Sequence, residues 1–127
     1  MKVLIYGTEM VAGRISPLLK EMGIETVAIS GDMTGANLNY LLSNQTDIGL
    51  AILDTNEDHS RRLCSFFGRL GYIPIALLVN SDTADWEWLC DCDASAYISL
   101  EAGKEEFASR LLAILRLYLP ESILEKV

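Results

Sequence analysis

The sequence predicts one α/β domain, a parallel sheet covered by helices on both faces. Short β-like runs alternate with amphipathic helical windows five times along 127 residues, a pattern that closes into a parallel sheet with right-handed crossovers. Three strand runs, VLIY, IGLAIL and IPIALLV, are nearly continuous apolar stretches, as strands buried on both faces are. Half of the residues are hydrophobic, enough for one core without metal or disulfide staples at this length.

The strands are expected at Lys2–Gly7, Ile24–Ile29, Asp47–Leu53, Ile73–Val79 and Ser95–Ser99. In the window Met10–Met22, Val11, Ile15, Leu18, Leu19 and Met22 recur at helical spacing and Gly23 stops the run. Pro17 inside it predicts a kink or local break. Thr34–Ser43 is a weaker helical window with Leu38, Leu41 and Leu42. Asp58–Leu70 carries Leu63, Phe66, Phe67 and Leu70 and ends at Gly71, Thr83–Cys90 is short, and Lys104–Leu119 is long and strongly apolar until Pro120 ends it. Residues 1–119 are expected to form the domain, with 120–127 a tail or the start of a linker.

Composition excludes several functions. Ten basic residues against 18 acidic ones give a net charge of -8. A nucleic-acid binder needs a basic footprint, and no basic run here exceeds Arg61-Arg62. Direct nucleic-acid and anionic-membrane contacts are therefore not expected. No apolar run approaches the ~20 residues of a spanning helix. The first residues enter a strand with no room for a signal peptide, so the expected location is cytoplasmic. Cys64, Cys90 and Cys92 are an odd number and are read as free thiols. With His59 they make a poor metal set, because structural zinc sites use C-x₂₋₄-C pairs and four ligands.

An open parallel sheet meets its ligands at the carboxyl ends of its strands. The residues there are Gly7-Thr8-Glu9, Gly31-Asp32, Asp54-Thr55-Asn56, Asn80-Ser81-Asp82 and Leu100-Glu101. In order, spacing and wording the chain resembles a response-regulator receiver domain over nearly its whole length. KVLIY resembles the first receiver strand, AILDTN the third strand with its D-x-N loop, IPIALLVNS the fourth, and ASAYISL the fifth. The resemblance implies a flavodoxin-like (CheY-like) three-layer α/β/α sandwich, with five parallel strands in order 2-1-3-4-5 and five helices. It also implies Asp54 at the phosphoacceptor position and Tyr97 at the aromatic switch position.

The departures define what to expect of the site. Where a working receiver carries an acidic pair, this chain has Gly7-Thr8, with Glu9 one residue late. Asn80 replaces the hydroxyl residue, with Ser81 beside it, and Leu100 replaces the lysine. Phosphoryl transfer depends on metal and cationic stabilisation of the spreading charge, and Mg²⁺ uses one or two carboxylates plus phosphate and water. Asp54 alone, with Asn56 nearby, is a poor site. The expectation is a degenerate receiver, not an enzyme, without cofactor; Mg²⁺ enters only if Asp54 is functional. One alternative is a rebuilt acceptor site in which Glu9 and Asp32 bring the acidic charge. Another is a small nucleotide-binding domain using the Gly7-Thr8 loop, although Glu9 would repel a pyrophosphate and only Thr8 offers a hydroxyl.

Apolar surface carries the expected function, signal transduction through protein contact. Trp86 and Trp88, two apart on a helix, point about 200° apart, so one should be exposed or covered by a partner unless the segment is a loop with both rings inward. Phe107, Leu111, Ile114, Leu115 and Tyr118 form one stripe of the last helix, and Leu112, Leu117 and Leu119 widen it beyond the ~100° a single core needs. The surplus calls for the tail (Ile123, Leu124), a second copy or a partner. The candidate interface residues are Trp86, Trp88, Tyr97, Leu112 and Tyr118. They lie on the face made by the fourth helical window, the fifth strand and the fifth window, where the resemblance implies docking of a protein partner or a homodimer mate.

Overall fold

The structure is a computed structural model that describes residues 2–29, 39, 40, 43, 47–56, 59–80, 82, 85–92 and 94–118. The elements run β1 (Lys2–Tyr6), α1 (Glu9–Glu21), β2 (Glu25–Ile29), β3 (Ile48–Asp54), α2 (Ser60–Leu70), β4 (Ile75–Val79), α3 (Trp86–Asp91), β5 (Ala96–Ser99) and α4 (Lys104–Tyr118). The strands form one sheet in the order β2-β1-β3-β4-β5, and every neighbouring pair is parallel. This is the expected three-layer sandwich and strand order. Among the described residues there are four helices rather than the five expected, because the window Thr34–Ser43 falls mostly outside them. Asp32, Ser81 and the tail 120–127 also lie outside the described residues.

The two-residue period of a strand sorts the core into two layers. Val3, Ile5, Leu50, Ile52, Ala76, Leu78 and Ile98 face one way, onto Ile15 and Leu19 of α1 and Phe107, Leu111 and Leu115 of α4. Leu4, Tyr6, Ala51, Leu53, Ile75, Leu77 and Val79 face the other, onto Leu63, Cys64 and Phe67 of α2 and Leu89 of α3. The three continuous apolar runs are therefore the three interior strands, covered on both faces. Full burial of each such side chain is worth roughly 1.5–3 kcal/mol. β2 and β5 form the edges and are only partly buried.

Local chemistry sets the helix limits. Thr8 caps α1 by accepting the Val11 amide at 3.3 Å, and Gly71 ends α2 at a φ of 77°, which a side chain would resist. The expected break at Pro17 does not occur, and α1 is continuous through it. Pro17 and Gly13, whose carbonyl loses the Pro17 partner, both lie on the exposed face, where water replaces the missing bond. The reading of three free thiols is also corrected. Cys64 on α2 and Cys92 just past α3 are joined as a disulfide. Both helices pack on the same face of the sheet, and this brings the two Cα atoms to 6.6 Å, within bridging range. Both sulfurs are thereby removed from any metal set.

Candidate functional site

Asp54 closes β3 at the carboxyl end of the sheet and is 3% exposed. A carboxylate this deep needs partners. Its side chain accepts the Asn56 amide at 3.0 Å, a local Asx turn. Its main-chain carbonyl accepts the hydroxyl of Ser60, the first residue of α2. The amide and hydroxyl of Thr55 both donate to the Leu78 carbonyl, at 3.0 and 2.7 Å, tying the loop to β4. Burial pushes the Asp54 carboxyl above its ordinary value, and the Asn56 amide pulls it part of the way back.

The loop after β1 is closed against this group. A Cβ on Gly7 would stand 3.1 Å from Asp54 Cβ and 3.3 Å from Val11 Cγ1, so the absence of a side chain at Gly7 makes room for Asp54. The Thr8 hydroxyl is engaged in capping α1. Glu9 is exposed in the first turn of α1, where its charge complements the helix dipole. At the end of β4, Asn80 Oδ1 accepts the Asp82 amide at 3.1 Å. Among the described residues no group of three or more His, Cys, Asp or Glu could hold a metal ion. Mg²⁺ sites use one or two carboxylates and keep several waters; here Asp54 is the one buried carboxylate among the described residues.

Beyond β5 the Leu100 side chain packs on the α1/α4 core layer. Its carbonyl accepts Arg14 Nη1 at 2.9 Å, and the Ala102 carbonyl accepts Nη2 at 2.6 Å. The same guanidinium lies 4.4 Å above the Phe107 ring centroid. Arg14 thus clamps the β5–α4 connection onto α1. Sequence reasoning missed both Arg14 and Ser60. Arg14 did carry a signal: three after Val11 and four before Leu18, it stands on the inward side of an apolar helix, where a charge must find acceptors. Ser60 carried only the weaker signal of a hydroxyl at a helix start.

The candidate interface residues separate in space. Trp86 is 54% exposed, while Trp88 packs against the α2/α3 core layer, so the two rings point apart as their spacing requires. Tyr97 is 45% exposed and its hydroxyl donates to the Leu89 carbonyl at 3.1 Å, bridging β5 to α3. On α4, Leu112 is half-buried and Leu117 is 75% exposed. Tyr118 packs on the α1/α4 layer and lines a cavity of about 330 Å³ with Tyr72 and Ile75, at the amino end of β4 and far from Asp54.

Solved structures share this architecture. The N-terminal domain of a response regulator/sensory box/GGDEF 3-domain protein from Carboxydothermus hydrogenoformans superposes with a TM-score of 0.70 at 18% identity, covering 92% of this chain and 95% of that one. The receiver domain of the TMAO respiratory system response regulator TorR gives 0.70 at 18% identity, covering 93% and 99%. A response regulator receiver protein from Burkholderia phymatum gives 0.67 at 20%, covering 91% and 96%. This chain has the response-regulator receiver fold. No protein-family model matches it, and no curated protein matches it in sequence. On this fold Gly7, Thr8, Asp54 and Leu100 stand together at the carboxyl ends of the strands.

Proposed function

We propose that this chain is an atypical receiver domain of a response regulator, passing signals by protein contact with little or no phosphorylation of an aspartate. The observation that carries this reading is the state of Asp54. It is buried, accepts the Asn56 amide and is packed against a glycine. A phosphoacceptor must be reachable, and it needs cations to stabilise the transferred charge. The Arg14 guanidinium, which reaches the β5–α4 connection from α1, is engaged by two carbonyls. Signal output would run through the surface of α3, β5 and α4, where Trp86, Tyr97 and Leu117 offer exposed apolar area. The partner is a protein or a second copy of the chain. The reading includes no catalysis by the chain itself and a cytoplasmic location. No described helix is long and apolar enough to cross a membrane.

The test is a titration of the isotope-labelled chain with beryllofluoride and Mg²⁺, followed by NMR at the Asp54 and Tyr97 amides. No saturable shift is expected. Saturable binding at millimolar concentration or tighter overturns the reading and favours a working acceptor site. A homodimer through the same face is read by sedimentation of the wild type against Trp86→Ala.

A further inference from the structure

We propose that the groove between α2 and α3 binds an acidic peptide segment, with two carboxylates flanking an apolar residue. The helix α2, SRRLCSFFGRL, carries three arginines and no acidic residue, in a chain whose net charge is -8. Arg61, Ser65, Gly68 and Arg69 recur at positions i, i+4, i+7 and i+8, so they share one face. They line one wall of a groove of about 600 Å³, with Trp88 and the Cys64–Cys92 disulfide also lining it. That volume is of the size that ligand sites use.

Both arginines are available to a ligand. Arg61 is exposed and makes no ion pair or hydrogen bond among the described residues. Arg69 makes one long bond through Nε, to the Ser65 carbonyl at 3.4 Å, which leaves its terminal nitrogens for a carboxylate. Between them the wall is open, since a Cβ built on Gly68 meets nothing within 4 Å. Trp88 is half-buried, packed behind on the core and bordering the groove in front.

The spacing selects the occupant. Eight residues of helix separate the arginines by about 12 Å, too far for one phosphate or carboxylate to engage both. An extended peptide covers that distance in about four residues. Two acidic residues four apart would reach both guanidinium groups, and a leucine between them would lie over Gly68 against Trp88. Arginine suits planar carboxylate recognition. The chain's overall acidity repels nucleic acid, so a short acidic segment of a partner protein is the class the groove fits.

The test uses the full chain with Trp86→Phe, so that Trp88 is its one tryptophan, and the probe acetyl-Asp-Ser-Leu-Ser-Asp-amide. A saturable change in Trp88 emission that weakens with salt is expected. Arg61→Ala or Arg69→Ala should each weaken binding by up to about fivefold, and the double variant by about 25-fold. Gly68→Leu keeps both charges but fills the groove and should abolish the change, while circular dichroism confirms the fold of each variant. The same peptide with asparagine for aspartate should not bind. The proposal is overturned by no saturable change, or by binding that survives the double arginine substitution. It is also overturned by tighter binding of a single-stranded oligonucleotide, or by self-association that the double substitution abolishes, which would assign the groove to a second copy.

Discussion

The carboxyl end of the sheet and the groove between α2 and α3 use polar groups in opposite ways. Around Asp54 they turn inward: the Asp54 carboxylate accepts the Asn56 amide, the hydroxyls of Thr55, Ser60 and Thr8 bond to neighbouring backbone, and Arg14 bonds two carbonyls of the β5–α4 connection. In the groove the guanidinium groups of Arg61 and Arg69 face solvent. Polar groups at the carboxyl end of the sheet are engaged within the framework, and exposed charge stands on a helix surface instead. Substitutions at the strand ends should therefore change stability, whereas those in the groove should cost little of it.

Arg14→Ala should be the most damaging, by about 2–3 kcal/mol, since it removes two charge-assisted bonds and the contact with Phe107. Urea unfolding measures the loss, and faster amide exchange at Ala102 would locate it. Arg14→Lys should recover less than half, because an ammonium does not reproduce the two-pronged geometry. A wild-type-like melt for Arg14→Ala would break the comparison at its strongest point.

Gly7→Asp places a second acidic residue beside Asp54, and it should destabilise by about 1–3 kcal/mol. Its Cβ meets Asp54 and Val11, and its carboxylate adds like charge beside a buried acid. If this variant were stable and bound beryllofluoride with Mg²⁺, the site would be one substitution from working rather than rebuilt as framework.

Asp54→Asn should stabilise the protein at neutral pH, because it removes a carboxylate whose ionisation burial disfavours. The folded carboxyl titrates above its unfolded value of 3.8, so the native state holds the proton more tightly. Stability of the wild type is then greatest below that value and falls as pH rises through the folded-state value. The advantage of the asparagine variant should be fully present at neutral pH and vanish below the unfolded value. Thermal melts across pH test the sign, and an advantage confined to acid would refute it.

Gly68→Ala should stabilise by about 0.5–1 kcal/mol, because a mid-helix glycine gives up entropy and the added methyl meets open space. Arg61→Ala should change stability by less than about 0.5 kcal/mol, read by the same urea titration. A large loss there would mean that Arg61 also belongs to the framework.

The strands were legible within one or two residues because their signal is continuous: a run such as IPIALLV has nowhere to go but between two helical layers. Asp54 was legible at the end of β3 for the same reason. Its environment was not. The Asn56 bond is local and could be anticipated from the turn, but the closeness of Gly7 depends on β1 and β3 being neighbours. The Arg14 clamp spans 86 and 88 residues, and no local pattern encodes which carbonyls a helix-borne arginine will meet. Trp86 and Trp88 were separable by helical geometry alone, but the groove beside Trp88 needed α2 and α3 packed side by side.

Order along the chain settles what depends on neighbours in sequence: the alternation of strand and helix, the buried faces, and the helix ends at Thr8 and Gly71. These follow from side-chain period and backbone freedom. Contacts between distant segments settle the rest. The pairing of Cys64 with Cys92, the closure of Gly7 over Asp54, the grip of Arg14 on the β5–α4 connection and the joining of two arginines with Trp88 in one groove all arise when the sheet brings separate helices together. Packing, not periodicity, selects those partners.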